Sequence, residues 1–438
     1  MDSAEAISFN SLLEHYLGTR LPRRLSRNIS FSELSTEAKG VIVRLLTLMK
    51  RSSVPATEIN SQMIWLLASV TPGMLPSAWG GRIPPVTSPG RHRKLDDYVV
   101  KQTHTSINGQ PVYIDLGCGF PPVTTIDTAK RLPDRTVFGV DRSFSRYALY
   151  DVDGNYACFD RLGKLQYFQA PTKPLNERSN ATSDRFNSLF TDLCPQIKTL
   201  DENSSATVEK NGNRLICNPI RTFEAKNLKF LKSNIEDLKL PPASTVRCMN
   251  VLLYFEKEIR ELMLTKICTL IDDNGIVITG FNHPFGIYLR YSVYTKDKTG
   301  VVPSEFSFSL DNLRPLGVGP WLTLADEDRE AELLADLTGA IRADRSFWAE
   351  FNPYVDMLRS RYGICDRDDS GFIHFTKDSR NAPPGAVMEK ASALWTQLEA
   401  EGYTDGAIEA LGRAGYQAWK NQVGDITVIP PDGSLPKP

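Results

Sequence analysis

Histidine is scarce in this chain of 438 residues, five in all, and the seven cysteines are scattered without a single C-x-x-C pair. Such spacing offers neither a zinc ribbon nor a disulfide framework, and it suits a reducing compartment. His15, His92, His104 and His374 are not grouped with acids at metal-ligand spacing, so no metal site is expected. An excess of one charge is missing too, with 51 Lys and Arg against 52 Asp and Glu. That balance forecasts no broad footprint for nucleic acid or an anionic membrane. The purest apolar run, Ile64 to Val70, is far too short to span a bilayer, and the opening Met1-Asp2-Ser3-Ala4-Glu5 does not read as a signal peptide. A soluble, cytoplasmic protein is expected. No Ser nucleophile elbow and no P-loop are found.

What is present is ordinary globular material, 41% hydrophobic and 24% charged, in a chain longer than one core usually grows. Residues 1–90 read as a helical cap region. Ser30-Phe31-Ser32-Glu33 has capping-box spacing, Val41, Ile42, Leu45, Leu46, Leu48 and Met49 line one helix face, and Ala56 to Val70 repeats the pattern. A Gly/Pro-punctuated linker runs from Gly73 to Gly90, followed by the basic cluster Arg91-His92-Arg93-Lys94. A core is expected over 91–286, interrupted by an insertion at 152–226. A further insertion follows at 287–400, and a helix and closing hairpin occupy 401–438. Within the first insertion, Tyr156–Phe159 and Leu165–Phe168 read as a hairpin. The polar stretch around Asn203-Ser204-Ser205 and Asn211-Gly212-Asn213 reads as loop.

The chemistry-bearing segment is Tyr113-Ile114-Asp115-Leu116-Gly117-Cys118-Gly119-Phe120-Pro121-Pro122. A short apolar strand delivers a carboxylate and then two glycines, which allow a sharp turn and close approach of a ligand to the backbone. The next strand, Val137 to Val140, ends on Asp141, 22 residues after Gly119. A Rossmann-like sheet places there an acid that accepts from both ribose hydroxyls. A nicotinamide site asks for a third glycine where this chain has Pro122, which puts a dehydrogenase last among the readings.

With Asp115 two residues ahead of the first glycine, the segment resembles motif I of class I S-adenosylmethionine-dependent methyltransferases, although Phe120-Pro121-Pro122 departs from the usual G-x-G-x-G. Phe230 to Pro241 is similar to that superfamily's third-strand motif. Asn234 and Ile235 stand at its adenine-reading positions, and Asp237 competes for the polar role. Arg247 to Phe255 looks like the fourth-strand motif, and residues 246–281 are similar to chemotaxis-receptor glutamate methyltransferases. The resemblance implies an α/β fold: a doubly wound, Rossmann-like sheet of seven strands, the last antiparallel, with a helical N-terminal region and large insertions. It implies S-adenosyl-L-methionine as cofactor, with Asp115, Gly117, Gly119, Asp141, Asn234, Ile235, Asn250 and Leu252 around it. A buried strand with one satisfied Asn is an equal account of Asn250.

Met249-Asn250-Val251-Leu252 lacks the paired prolines of base-amine and glutamine-amide methyltransferases, which disfavours a nucleic-acid acceptor. A small-molecule acceptor, O- or N-methylated, is the leading expectation. A protein methyltransferase and a binding protein that keeps the fold without catalysis are the rivals. For a base, His283 follows the strand ending at Phe281, on the sheet edge where ligands bind, and a loop histidine without a role is the plainer alternative. Tyr254, Tyr288 and Arg290 are weaker candidates.

Overall fold

The computed structural model describes residues 14–15, 18, 35–58, 87–102, 111–169, 179–197, 204–297, 300–317, 319–382 and 384–438. The capping box at 30–33, the apolar pattern over 59–70 and most of the linker lie outside them. The chain divides into two compact units, each discontinuous in sequence: Leu75–Cys248 with Thr269–Gly275, and Met1–Met74 with Met249–Cys268 and Ile276–Pro438.

The first unit contains β1 (Val112–Leu116), β2 (Thr136–Asp141), β3 (Tyr147–Tyr150), β4 (Tyr156–Phe159), β5 (Leu165–Gln169), β6 (Ala206–Lys210), β7 (Asn213–Cys217), β8 (Leu228–Lys232) and β9 (Ala243–Met249). Four of these run parallel in the order β9-β1-β2-β8. Their apolar runs suit strands covered on both faces. Tyr113 and Ile114 are fully buried, and Tyr113 pairs with Val137 on one side and Thr245 on the other. The helix Val123–Arg131 connects β1 to β2, so strand, glycine turn, helix and strand follow in the Rossmann-like order.

The inserted segment builds a second sheet, antiparallel, in the order β5-β4-β3-β7-β6. Its core joins Leu149, Phe159, Phe168 and Leu215 to Phe186 and Phe190 of the helix Ser179–Leu193. The rings of Phe159 and Phe190 stack at 4.2 Å. The β4–β5 hairpin matches the expectation, whereas the stretch read as loop is the β6–β7 hairpin. Asn211 and Gly212 both take positive φ, the two-residue turn that right-twisted hairpins favour. Thr207, Glu209 and Lys210 of β6 are exposed on the sheet's edge, and that polarity disguised a strand as loop.

The second unit holds β10 (Ile271–Phe281) from Ile276 on, β11 (Arg290–Asp297), β12 (Gly300–Phe308), a small pair β13 (Cys365–Arg367) and β14 (Ile373–Phe375), then β15 (Ala418–Lys420) and β16 (Ile426–Val428). Five strands run antiparallel in the order β10-β11-β12-β16-β15. The expected seven strands with one antiparallel strand at the end are therefore corrected: among the described residues, one unit has four strands in parallel order and the other five in antiparallel order. The difference lies in 290–308: the hairpin read on sequence from Tyr288–Tyr294 and Glu305–Leu310, and placed there within an insertion, pairs through β11 with β10 and extends the sheet, with a register shift between Val293 and Tyr294. Helices Thr36–Arg51, Arg329–Ala343, Arg345–Arg361, Pro384–Ala400 and Tyr403–Arg413 belong to this unit. Asp328 and Asp344 cap two of them, their carboxylates accepting from Ala331 N and Phe347 N at 3.2 and 3.0 Å. Among the described residues no helix is long and apolar enough to cross a membrane.

Candidate functional site

The glycine turn is shaped by the strands that flank it. Gly117 and Gly119 take φ of +72° and +65°, a region costly for residues with a Cβ. Gly117 N and Cys118 N both donate to the carbonyl of Val140, at 2.8 and 3.2 Å, which fastens the end of β1 to that of β2. A methyl group placed on Gly119 would meet nothing within 4 Å, so the turn presents open backbone.

Asp141 closes this arrangement. Its Oδ2 accepts from Gly119 N at 3.0 Å and its Oδ1 from Ser143 N at 3.1 Å. Each oxygen keeps lone-pair capacity for another donor. Burial pushes the Asp141 carboxyl above its ordinary range, against the opposing pull of the Ser143 and Gly119 amides. Ser143, Gly119 and Asp141 are thus one local unit, although only the last two were singled out on sequence.

The segment after β8 joins the same edge through its backbone, since Ser233 N donates to the Asp141 carbonyl at 3.0 Å. Asn234 next to it is exposed and Ile235 half-buried. Asn234 Nδ2 lies 3.4 Å from Asp237 Oδ2, so the two alternatives for the polar role are neighbours.

Asp115 faces the other way. Arg247 donates to it twice, Nε to Oδ1 at 2.9 Å and Nη2 to Oδ2 at 2.7 Å, and Thr125 Oγ1 donates at 2.5 Å. The remaining Arg247 nitrogen reaches Asp96 Oδ1 and Thr128 Oγ1, each at 3.0 Å. Arg247 is fully buried and Asp115 only 3% exposed. With its carboxylate occupied below the turn, Asp115 fixes β1 against β9 and the helix Val123–Arg131. A lone charge between Val246 and Cys248 is the sequence signal that points to this network. The basic cluster splits similarly: His92 is buried, Arg93 exposed.

Asn250, Leu252 and His283 belong to the second unit. Asn250 takes φ of +59°, its N donates to Gly280 O at 2.8 Å, and its amide pairs with both the N and O of Asn282, at 3.1 and 3.0 Å. Those bonds describe a satisfied turn asparagine. Leu252 opens a single 3-10 turn and is half-buried. His283 begins the tight turn His283-Pro284-Phe285-Gly286, closed by Gly286 N to His283 O at 2.8 Å, with its ring 5.8 Å from those of Phe285 and Tyr288. Two weaker candidates are committed elsewhere. The Tyr288 hydroxyl accepts from Leu316 N at 2.8 Å, and buried Arg290 donates to Pro320 O at 2.6 Å.

No protein-family model matches the chain, and no curated protein does. Solved structures similar to it include PKMT2 from Rickettsia typhi in complex with AdoHcy, at 15% identity over 45% of this chain and 26% of that one, with a TM-score of 0.20. Magnesium protoporphyrin IX methyltransferase from Synechocystis, with bound SAH, is also 15% identical, over 43% of this chain and 55% of that one, TM-score 0.21. An S-adenosylmethionine-dependent methyltransferase from Clostridium acetobutylicum is 10% identical over 50% and 66%, TM-score 0.21. The chain thus spans about a quarter and about half the length of the first two. Scores this low establish no shared fold. The Rossmann-like assignment rests on the parallel order β9-β1-β2-β8 and the glycine turn between β1 and β2.

Proposed function

We propose that this protein is an S-adenosylmethionine-dependent methyltransferase that acts on a small-molecule acceptor, at oxygen or nitrogen. The observation that carries the reading is the Gly119–Asp141 pair: open backbone at a positive-φ glycine, held by a half-buried carboxylate with accepting capacity to spare. Those residues fit a ribose-bearing ligand, and Pro122 in place of a third glycine favours the sulfonium cofactor over a dinucleotide.

When bound, S-adenosylmethionine supplies a methyl group on a positively charged sulfur. Asp141 accepts from the ribose hydroxyls, Gly117 and Gly119 let the backbone come close, and Asn234 with Ile235 meets the adenine. Asp115 acts as a positioning residue, keeping the turn in place through Arg247. Asn250 sets the shape of the turn after β9, and Leu252 lends an apolar side chain. His283 is assigned the base that removes the acceptor's proton, near neutral pH. Segment 152–226 and, apart from the sheet strands β11 and β12, segment 287–400 are assigned to acceptor binding, because each follows a strand's carboxyl end.

Calorimetry on the purified protein tests the cofactor. S-adenosylhomocysteine should bind one to one and NAD should not. Binding of NAD alone would overturn the proposal in favour of a dehydrogenase. Cofactor binding without turnover on any small-molecule pool would move the acceptor to a macromolecule or remove catalysis.

A further inference from the structure

The second unit holds a cavity of about 290 Å³ that shares no residue with the glycine turn. Arg314, Arg342, Arg367, Glu58, Trp348 and Asn352 are among the residues that line it. Arg359 adjoins the group, 3.6 Å from Glu58. Four guanidiniums therefore gather here, three of them almost fully buried. Among the described residues, two carboxylates ion-pair with them. Glu58 Oε1 accepts from Arg367 at 2.5 Å and lies 3.4 Å from Arg314, and Asp356 accepts from Arg314 at 2.6 Å and from Arg367 at 2.7 Å.

Arg342 is the residue left over. Its hydrogen bonds go to the carbonyls of Ser52, Asn312 and Leu313, and its guanidinium lies 5.5 Å from the centre of the Trp348 ring. Carbonyls satisfy its donors without neutralising its charge. Burial, together with the nearby Arg314 charge, pushes Arg342 down to about 9. Among the described residues, Arg314 Nε, in a side chain 2% exposed, has no hydrogen-bond partner. A buried cationic excess with an unused donor on a cavity is costly unless an anion completes it.

We infer that this cavity is a ligand site for a small molecule with a dianionic oxyanion head group, a phosphate monoester or a dicarboxylate. The excess of two positive charges matches a dianion, and guanidinium forks match the geometry of either oxyanion. Trp348 supplies an apolar wall for the ligand's organic part.

The test uses the full chain, with inorganic phosphate and malonate as probes at pH 8, each compared with chloride at equal ionic strength. Calorimetry should give a saturable one-to-one isotherm for at least one probe, accompanied by a rise in Tm that chloride does not produce. Preference for phosphate assigns the monoester and preference for malonate the dicarboxylate. Arg342→Gln should weaken binding by about tenfold or more, read on the folded variant, because the Ser52, Asn312 and Leu313 carbonyls lose a donor as well. Arg367→Gln, at a more exposed position, should also weaken binding, whereas Asp141→Ala should leave it intact. The inference is overturned if neither probe binds beyond chloride, or if both arginine variants fold and bind as the parent does.

Discussion

Arg247 grips Asp115 through two parallel hydrogen bonds of 2.9 and 2.7 Å, and both side chains are withdrawn from solvent. Burial opposes the charge on Arg247, but Asp115 and the groups beside it hold the guanidinium protonated above its usual range. Removing one partner strands the other. Arg247→Met should therefore cost about 3–5 kcal/mol in denaturant unfolding, whereas Asp115→Asn with Arg247→Met should recover part of that loss. Equal destabilisation by the single and double variants would show that the charge pairing is not what holds β1 to β9.

Asp141→Ala should weaken S-adenosylhomocysteine binding by about 2–4 kcal/mol, the scale of losing charge-assisted hydrogen bonds. The fold should remain, since the residue stands at a strand's mouth rather than in the core. An unchanged isotherm in a folded variant would remove Asp141 from the cofactor site.

A pH dependence follows from the same carboxyl. Its folded pKa is raised, so the folded state keeps the proton at pH values where the unfolded chain has lost it. Its contribution to ligand-free stability is full below the ordinary aspartate value and is lost as pH rises through the raised one. Cofactor affinity runs in the opposite direction, because the ionised carboxylate is the better acceptor, and it should fall on acidification through that window. Asp141→Asn should flatten both curves, as measured by thermal unfolding and calorimetry from the ordinary aspartate range up toward neutral pH.

Gly280 is a steric checkpoint in β10. At its φ of +152°, a Cβ would lie 2.2 Å from Arg290 O and 2.7 Å from Tyr291 Cα, both backbone atoms of the neighbouring strand. Gly280→Ala should destabilise by at least about 2 kcal/mol, from strain and overpacking together. Because Asn250 N donates to Gly280 O, the 249–251 turn should loosen too, visible as faster amide exchange at Asn250.

For catalysis, His283→Ala should lower turnover by about 10²-fold, the lower range for a general base, while cofactor affinity stays as it was. Turnover equal to the parent's would demote His283 to a turn residue.

The parallel core was legible because its signals are local. Apolar runs, Gly117, Gly119 and Asp141 each announce themselves within a few residues, and the structure joins Gly119 to Asp141 by a direct hydrogen bond. The hairpin of Ala418–Lys420 with Ile426–Val428 was legible for the same reason, from the turn signal Val423-Gly424-Asp425 between its strands. The misses have a different origin. Strand β6 is an edge whose Thr207, Glu209 and Lys210 are exposed and whose Val208 is only partly buried, so its alternation is weak. The helix Ser179–Leu193 starts amid polar residues, and its Phe186 and Phe190 make sense only once β4 is there to receive them. The partner of Asp115 is 132 residues away, beyond any spacing rule.

One aromatic contact ties the inserted sheet to the turn. Phe120, the residue after Gly119, sets its ring edge-on against Tyr156 of β4 at 6.3 Å and against Phe223 at 6.0 Å. The inserted sheet has its own core, so its outer strands β5 and β6 can diverge in lineage after lineage without disturbing the parallel strands. Tyr156 and Phe223 cannot drift so freely, because the seat of Phe120 depends on them. A comparison of relatives should therefore find the periphery of the insertion rewritten around this aromatic trio, with the trio varying in concert.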